Sequence, residues 1–394
     1  MAILTVNAGS SSLKFSIYPI ESGTVLTSIL SGTFEGLEPH GHTELRYTYR
    51  GEERFKSFSD VAQDPFMVAL TYLKELLLEI EDLPSIQAVS HRIVHGGAEF
   101  SQPVISSDAI LKALSDISAL APLHQPHSLD GVRAFSQVFP DIPQVLCFDT
   151  AYHKTMGNLE VSLGLPKEIT DQGVRRYGFH GISYQYIMSQ LAQISERAND
   201  RVLMAHLGNG ASLCAAFDGK SIATTMGFSA LDGLMMGTRS GSLDAGVLMY
   251  LVERGYTHDQ LQELLYRKSG LLGVSTISAD MRKLRGETQA LAKEAIDLFT
   301  YRIVREGGAM ISCLRGLDVI SFSGGIGEHD AILRSDVCEK FAWLGVVIDE
   351  DLNRQPIQGL SRKISTSKSE VEVWVIPTDE GVMTAKEAVN LLLL

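Results

Sequence analysis

The segment AILTVNAGSSSLKFSIY (residues 2–18) decides the fold. It opens with a short apolar run, stops at Asn7-Ala8-Gly9-Ser10-Ser11-Ser12, and alternates again over residues 13–18. This pattern predicts a strand, a small-residue turn and a second strand. RVLMAHLGNGASLCAAF (residues 201–217) repeats it around Leu207-Gly208-Asn209-Gly210. Each half of the chain therefore begins with a hairpin, and two such turns facing each other would present backbone N–H groups to a polyphosphate.

The composition is that of a globular protein of more than one domain. The chain has 394 residues, of which 45% are hydrophobic and 21% charged. At about 150 residues per domain this predicts two or three domains and excludes wholesale disorder and fibrous repeats. The formal net charge of −13 argues against a protein that wraps nucleic acid or lies on anionic lipid.

Cysteine usage and hydropathy indicate a cytoplasmic protein. The four cysteines lack CxxC spacing and are expected to be reduced thiols: Cys147, Cys214, Cys313 and Cys338. No apolar run reaches the roughly 18 residues that a membrane helix needs, and the N-terminus lacks the pattern of a signal peptide.

Hydrophobic periodicity outlines the other elements. It predicts strands over residues 87–94, 144–148, 318–322 and 371–376. It predicts helices over residues 60–82, 107–120, 128–138 with Ser128 as N-cap, 244–253, 258–266, 289–314 and 380–393.

Three local patterns resemble known sites and are rejected. Gly208-Asn209-Gly210 begins like a dinucleotide fingerprint, but Leu213 holds the third glycine position and no helix follows. Gly219-Lys220-Ser221 ends like a phosphate-binding loop, yet Cys214 stands where its first glycine belongs. His91 and His95 lie on a predicted strand, where positions four apart are too distant for one metal ion.

Three glycine-rich turns each follow a predicted strand. They lie near Gly9, near Gly208, and at Gly324-Gly325-Ile326-Gly327. Glycine lets backbone amides approach phosphate oxygens closely, although any one of these turns is also consistent with an ordinary tight turn. Their combination with the charged residues described next favours an anionic ligand.

Two arginines, a histidine and a carboxylate stand in unusual surroundings. Arg92 lies near the end of an apolar strand, Arg239 lies in a small-residue turn, and His180 lies in an aromatic, glycine-flanked loop. Asp149 follows a strand, at the edge where open α/β sheets bind ligands. The planar guanidinium matches carboxylate or phosphate. A structural ion pair for each arginine, and a core position for His180, are the alternatives.

The motifs taken together resemble the acetate kinase family. They occur in family order over nearly the whole chain: residues 7–14, residues 92–97, Phe148-Asp149-Thr150-Ala151-Tyr152-His153, Arg176-Tyr177-Gly178-Phe179-His180-Gly181, residues 206–210, Met236-Gly237-Thr238-Arg239-Ser240-Gly241 and residues 324–328. The resemblance implies an α/β protein of two similar domains with the actin-like ATPase (ribonuclease H-like) fold and an interdomain cleft. The domains expected are residues 1–150, completed by a C-terminal helix at 381–394, and residues 151–380.

The resemblance also implies an activity. It is reversible, magnesium-dependent phosphoryl transfer from ATP to acetate, which gives acetyl phosphate and ADP by direct in-line transfer. Such an enzyme is a phosphotransferase with a carboxyl acceptor, binds ATP or ADP and Mg²⁺ (Mn²⁺ substituting), and forms a cytoplasmic homodimer. No nucleic acid and no membrane are expected as partners.

The resemblance assigns site residues position by position. The catalytic group is Asp149, His180 and Arg239. The substrate group is Arg92, Val94, Leu123, Phe179 and Ala230. The nucleotide group is Lys14, His206, Leu207, Gly208, Asn209, Gly210, Asp280, Met281, Arg282, Gly325, Ile326, Gly327, Glu328 and His329. The metal group is Asn7 and Glu380.

Three positions depart from the family pattern. His329 stands for an asparagine, Gly381 for a second acid after Glu380, and Ala230 for a proline in the methyl pocket. The loss of a proline ring leaves room for one more carbon, so propionate kinase is the alternative activity; a methylene discriminates by only about 1–3 kcal/mol. Butyrate kinase fits the contexts of Asn7 and Arg239 less well. An Hsp70-type module would need a client-binding domain, and a sugar kinase a base for a neutral hydroxyl.

Overall fold

A computed structural model describes residues 1–9, 11–38, 41–58, 64–122 and 124–394 of the chain. The chain forms two compact units. Unit 1 comprises residues 1–151 and 379–394, and unit 2 comprises residues 152–378.

Within the described residues, unit 1 contains a sheet of nine strands. The strands are β1 (Ala2–Ala8), β2 (Ser12–Glu21), β3 (Thr24–Val25), β4 (Leu30–Glu35), β5 (Glu44–Tyr49), β6 (Glu52–Ser57), β7 (Ile86–Ile93), β8 (Val104–Ile105) and β9 (Gln144–Phe148). Their order is β6-β5-β4-β2-β1-β7-β9-β8, with β3 paired to β2. Strands β1, β7 and β9 are parallel, so their carboxyl ends meet at one edge of the sheet.

Four helices cover this sheet among the described residues of unit 1. They are α1 (Pro65–Glu79), α2 (Asp108–Asp116), α3 (Gln125–Val138) and the C-terminal helix, numbered α15 by its place in the chain (Glu380–Leu392); a short 3-10 helix spans Ser118–Leu120. Helix α1 begins where Asp64 accepts a hydrogen bond from the Met67 backbone. It buries the predicted apolar stripe, which includes Leu70 and Leu73, and each buried leucine contributes roughly 1.5–3 kcal/mol.

Unit 2 contains a six-stranded sheet within the described residues. The strands are β10 (Val202–Leu207), β11 (Ala211–Phe217), β12 (Lys220–Thr224), β13 (Val319–Ser323), β14 (Arg362–Lys363) and β15 (Glu372–Val375). Their order is β12-β11-β10-β13-β15-β14.

The two sheets share one central pattern. In unit 1, β1 pairs antiparallel with β2 and parallel with β7, and β7 pairs parallel with β9. In unit 2, β10 pairs antiparallel with β11 and parallel with β13, and β13 pairs parallel with β15. The two hairpins that the sequence predicts at residues 2–18 and 201–217 thus begin equivalent sheets.

The described residues of unit 2 also form helices, some of which pack on its sheet. They are α4 (Asn158–Val161), α5 (Lys167–Thr170), α6 (Gly181–Ile194), α7 (Ala245–Glu253), α8 (His258–Arg267), α9 (Gly270–Ser275), α10 (Met281–Arg285), α11 (Ala290–Leu314), α12 (Gly324–His329), α13 (Ala331–Lys340) and α14 (Glu350–Arg354); 3-10 helices span Ala151–Thr155 and Ala342–Leu344.

Two local predictions are wrong. Helix α3 begins at Gln125, one turn before the predicted cap Ser128, with Pro126 in its first turn, where the fixed φ of proline suits a helix. The Gln125 side chain makes two hydrogen bonds with the His95 backbone. The third glycine-rich stretch is helical rather than a turn. Its Gly324 N–H donates to the Glu328 carboxylate at 2.9 Å, and this bond caps a helix whose glycines have low intrinsic propensity.

Candidate active site

The carboxyl ends of three parallel strands gather the candidate residues of unit 1. Asn7 lies near the end of β1, Arg92 near the end of β7, and Asp149 directly after β9. Glu380 is the first residue of α15, which packs on β1 and β7. Lys14 is paired with Asn7 across the β1–β2 hairpin and is exposed. The fold thus brings together five predicted residues from four separate parts of the chain.

Arg92 and Asp149 form a bidentate ion pair. Arg92 Nε donates to Asp149 Oδ1 at 3.0 Å, and Nη2 donates to Oδ2 at 2.5 Å. Asp149 is buried, with 1% of its surface exposed, whereas Arg92 keeps 22% of its side chain exposed. Because this fork-to-fork geometry fixes the guanidinium plane, Asp149 aims the accessible part of Arg92.

Two oxygen donors stand beside the same guanidinium. Arg92 Nη1 donates to Asn7 Oδ1 at 3.5 Å, and Glu380 Oε2 lies 3.5 Å from Arg92 Nε. Both contacts are long, so neither oxygen is saturated by Arg92. An amide and a carboxylate are hard oxygen ligands of the kind that Mg²⁺ takes alongside water and substrate phosphate. These two oxygens are therefore suited to holding a divalent metal ion.

The charges in this cluster shift one another's titration. Burial raises the pKa of the Asp149 carboxyl; Arg92 opposes that shift and Glu380 adds to it. Burial works against the charge of Arg92, but the carboxylates of Asp149 and Glu380 together raise its pKa above the usual value. Arg92 is therefore positive at any working pH.

In unit 2 the parallel strands β10 and β13 bring two predicted nucleotide segments together. A Cβ on Gly324 would lie 2.7 Å from the Leu207 carbonyl oxygen, and one on Gly208 would lie 3.9 Å from the Gly325 nitrogen. Gly324 also has φ +74°, which glycine adopts without strain. A Cβ on Gly325 would meet no atom within 4 Å, so the backbone there is open to a ligand.

His180 and Arg239 lie near the glycine turn that joins β10 to β11. A Cβ on Gly210 would lie 3.2 Å from His180 Nε2 and 3.9 Å from Arg239 Nη1. Arg239 Nη1 donates to the Ala230 carbonyl at 3.0 Å. The His180 ring stacks on that of His206 with a centroid distance of 4.3 Å. Glycine at position 210 thus leaves room for two cationic or donor groups close to the β10–β11 turn.

The other residues predicted to bind the nucleotide lie on a loop and on helices α10 and α12 of unit 2. The backbone carbonyl of Asn209 accepts a hydrogen bond from the backbone N–H of Gly237 at 3.0 Å, and Gly237 lies in the loop that carries Arg239. Asp280 caps α10 and forms an ion pair with Arg282. Arg282 and His329 are exposed, whereas Met281 is buried. The remaining nucleotide positions, Ile326, Gly327 and Glu328, lie on α12.

Of the predicted apolar pocket residues, Val94 belongs to unit 1, and Phe179 and Ala230 belong to unit 2. Val94 is half-buried directly after β7, and Phe179 is buried, with its carbonyl accepting from His153 Nε2 at 2.9 Å. Ala230 is half-buried and is tied to Arg239 through its carbonyl. Leu123 lies outside the described residues.

Comparison with known proteins identifies the family. The sequence model of the acetokinase family matches residues 2–386. The chain belongs to the acetokinase family. An acetate kinase of Rhodopseudomonas palustris is 45% identical over 392 residues, covering 98% of this chain and 96% of that protein.

Solved structures agree with this membership. A propionate kinase from Francisella tularensis is 36% identical with a TM-score of 0.90 over 98% of both chains. An acetate kinase of Porphyromonas gingivalis is 35% identical with a TM-score of 0.88 over 99% of both chains. Acetokinase family members are enzymes that use ATP and a divalent metal to phosphorylate a small carboxylic acid. Among the described residues, no helix has the length and apolar character to cross a membrane.

Sequence reasoning missed the polar residues behind His180. Ser212 Oγ lies 2.8 Å from His180 Nδ1, and Tyr184 Oη lies 2.5 Å from the same serine oxygen. Ser212 is visible in the sequence only as an echo of Ser12, within an otherwise apolar strand. A serine there, five residues after the end of β10 and just past the glycine turn, is the available signal.

Proposed function

We propose that this member of the acetokinase family is an acetate kinase. It transfers the γ-phosphoryl group of ATP to acetate, giving acetyl phosphate and ADP, and the reaction is reversible. The observation that carries this proposal is the Arg92–Asp149 pair, which holds a permanently charged guanidinium at the carboxyl ends of three parallel strands. A guanidinium fixed in this way suits a carboxylate acceptor.

The residues of unit 1 bind the acceptor and the metal. Arg92 binds the acetate carboxylate, and Asp149 keeps the guanidinium in plane. Asn7 and Glu380 would hold Mg²⁺, for which Mn²⁺ can substitute, and the ion neutralises phosphate charge when bound. Acetate is already an anion, so Asp149 need not remove a proton from it. Lys14 contributes a further positive charge for the nucleotide.

The residues of unit 2 bind the nucleotide and the transferring group. The segments 206–210, 280–282 and 325–329 hold ATP through backbone N–H groups and open glycine positions. His180 and Arg239 stabilise charge on the equatorial phosphoryl oxygens. In the transfer, an acetate oxygen forms a bond to the γ-phosphorus while the bond from that phosphorus to the bridging oxygen breaks, and the electron pair leaves with ADP. No phosphoenzyme is needed.

Position 230 decides how firmly acetate is preferred. Val94, Leu123, Phe179 and Ala230 line the pocket for the methyl group in this proposal, and the small Ala230 side chain favours some turnover of propionate. Propionate kinase is the second candidate function. It is favoured by Ala230 and by the likeness to the Francisella tularensis protein.

We also propose that the protein is a cytoplasmic homodimer. In each chain, the two compact units are the two domains. Helix α7 supports an assembly, because none of its residues is buried and it exposes Val247, Met249, Tyr250 and Val252. Apolar patches of this kind mark protein interfaces. Light scattering should give twice the chain mass, and Met249→Glu should give a monomer; a monomeric wild-type chain would contradict the proposal.

An acyl hydroxamate assay tests the activity. The protein is incubated with ATP, Mg²⁺ and formate, acetate, propionate or butyrate, and the specificity constants are compared. We expect acetate first and propionate second. A higher specificity constant for propionate would establish the second candidate, and failure with every carboxylate would overturn both.

A further inference from the structure

Two buried hydroxyl groups hold the His180 imidazole from behind. His180 Nδ1 lies 2.8 Å from Ser212 Oγ, and Tyr184 Oη lies 2.5 Å from that same oxygen. Both Ser212 and Tyr184 are fully buried, with no exposed surface. The three side chains thus form one continuous hydrogen-bonded chain from the core to the candidate site.

The backbone and the opposite face of the ring are constrained as well. His180 has φ 58° and ψ 21°, a left-handed conformation that costs roughly 1–3 kcal/mol in a residue other than glycine. Its ring stacks on His206, whose own Nδ1 lies 2.8 Å from Ser183 Oγ. Backbone strain of this kind persists where the surrounding contacts hold the residue in place, and such residues cluster at active sites.

The chemistry of imidazole makes the serine contact consequential. A neutral imidazole carries one N–H, and the bond made by one ring nitrogen decides whether the other is a donor. If Nδ1 accepts a hydrogen bond from Ser212, Nε2 carries the proton. That nitrogen is the one near Gly210, on the side of the β10–β11 turn.

Tyr184 decides which way the serine points. Ser212 has a single proton, so it donates either to His180 or to Tyr184 but not to both. Burial raises the tyrosine pKa well above its ordinary value, so the phenol keeps its proton. In the arrangement that we infer, it donates that proton to Ser212 Oγ, which lies 2.5 Å away. The chain of donors then runs Tyr184 to Ser212 to His180.

We infer that Ser212 and Tyr184 are positioning residues for phosphoryl transfer: their hydroxyl groups hold His180 as the tautomer that donates from Nε2 to the transferring phosphoryl group. The inference rests on the proposed role of His180. It adds two residues from the core of unit 2 that act through His180 and touch neither substrate. Loss of such support typically lowers activity about 10- to 100-fold.

The test is a set of double-mutant cycles in the forward reaction. The variants are Ser212→Ala, Tyr184→Phe, His180→Ala and the two combinations of each hydroxyl deletion with His180→Ala. We expect Ser212→Ala and Tyr184→Phe each to lower kcat by about tenfold or more while the KM for acetate changes less than about threefold. In the His180→Ala background, neither second substitution should lower kcat further.

The control is Ser321→Ala. Ser321 is a fully buried serine on β13, which β10 separates from the β11 strand of Ser212, and its hydroxyl has no hydrogen-bond partner among the described residues. The same substitution there should leave kcat unchanged. Equal losses of kcat with and without His180 would show a general structural role and overturn the inference, as would wild-type kcat in Ser212→Ala or, should that variant not fold, in Tyr184→Phe. The wild-type and His180→Ala rates test the proposed function separately.

Discussion

The hydroxyl oxygen of Tyr18 lies 2.4 Å from the place where a Cβ on Gly381 would be. The same hydroxyl donates to Asp379 Oδ1 at 2.7 Å, and that carboxylate caps α15 by accepting from Val382 N at 2.9 Å. Position 381 is one of the departures from the family pattern. Its glycine has a physical reason, because Tyr18 occupies the space that a side chain would need.

Gly381→Ala should therefore destabilise the protein. The new methyl group must displace the Tyr18 hydroxyl from Asp379, and overpacking of this kind typically costs about 1–3 kcal/mol. Because Glu380 begins the same helix, we also expect the enzyme to bind magnesium less tightly, so that a higher magnesium concentration is needed to reach half of the maximal rate in the kinase assay. Denaturant unfolding measures the first effect, and a magnesium titration of the rate measures the second.

Two further variants make this prediction specific. Gly308→Ala lies within α11, where a Cβ meets no atom within 4 Å, and should be neutral or stabilising by about 0.5–1 kcal/mol. Tyr18→Phe removes the closest obstacle, so the double variant with Gly381→Ala should lose less stability than the two single changes added together. A Gly381→Ala protein as stable as the wild type would contradict the steric account.

Arg92→Ala should abolish turnover and also weaken the fold. The acceptor loses its guanidinium, so kcat/KM should fall by at least about 100-fold. The change also leaves Asp149 buried without its ion-pair partner, a loss that typically costs about 3–5 kcal/mol. Rates and thermal unfolding measure the two effects. A normal rate would remove Arg92 from the site.

Arg239→Ala should separate activity from stability. This half-buried guanidinium donates a hydrogen bond to the Ala230 carbonyl, and a hydrogen bond of a charged group typically contributes about 1.5–3 kcal/mol, less than the cost expected for Arg92→Ala. The rate should still fall by at least about 100-fold, because phosphoryl charge is left unpaired. Loss of stability as large as in Arg92→Ala, with a normal rate, would show that Arg239 is structural.

The sequence predicts the parts of the fold that have strong local signals. The hairpins around Gly9 and Gly208, the stripe of α1 and the strands before Arg92 and Asp149 all follow from apolar periodicity and small-residue turns. Strands β4 to β6 escape such analysis because they lie toward one edge of the sheet, and β6 is exposed along its length. Helix α12 escapes it because its cap is a side chain, Glu328, that closes back on Gly324.

In the candidate site, too, some residues can be predicted from the sequence and others are found only in the folded structure. Arg92, Asp149 and Arg239 stand out in a sequence because charge among apolar or small residues is unusual. The contact between Arg92 and Glu380 joins positions 288 apart in number and depends on where α15 packs. Ser212 and Tyr184 look like ordinary core residues, since only the packed structure shows that their hydroxyl groups converge on His180.

Ala230→Pro should sharpen the preference for acetate over propionate. Proline adds ring atoms on the side chain that we place in the methyl pocket, and its carbonyl can still accept from Arg239. One methylene discriminates by about 1–3 kcal/mol, so the ratio of specificity constants should rise by roughly 10-fold or more. Leu78→Ala, at an exposed leucine on α1, is the control. An unchanged ratio would show that position 230 does not line the pocket.

Three buried histidines should make the protein sensitive to mild acid. Burial lowers the pKa values of His91, His95 and His153 from 6.5 to about 4. His91 is held neutral in the core: its Nε2 lies 2.7 Å from Gln144 Oε1, and the Gln144 amide nitrogen donates to the Ile142 carbonyl. The glutamine oxygen must therefore accept, and the His91 Nε2 carries the proton.

His91→Gln should reduce this sensitivity to acid. Between pH 6.5 and 4 the unfolded chain binds protons that the folded histidines do not, so the unfolding free energy is greatest above pH 6.5 and falls as the pH drops through this window. Each such histidine contributes a slope of up to about 1.4 kcal/mol per pH unit. Thermal unfolding of the variant between pH 4 and 7 should show a shallower decline than the wild type. His258→Gln, at an exposed histidine, is the matched control. If His91→Gln and the wild type lose stability in parallel, His91 is not one of the groups that take up protons on unfolding.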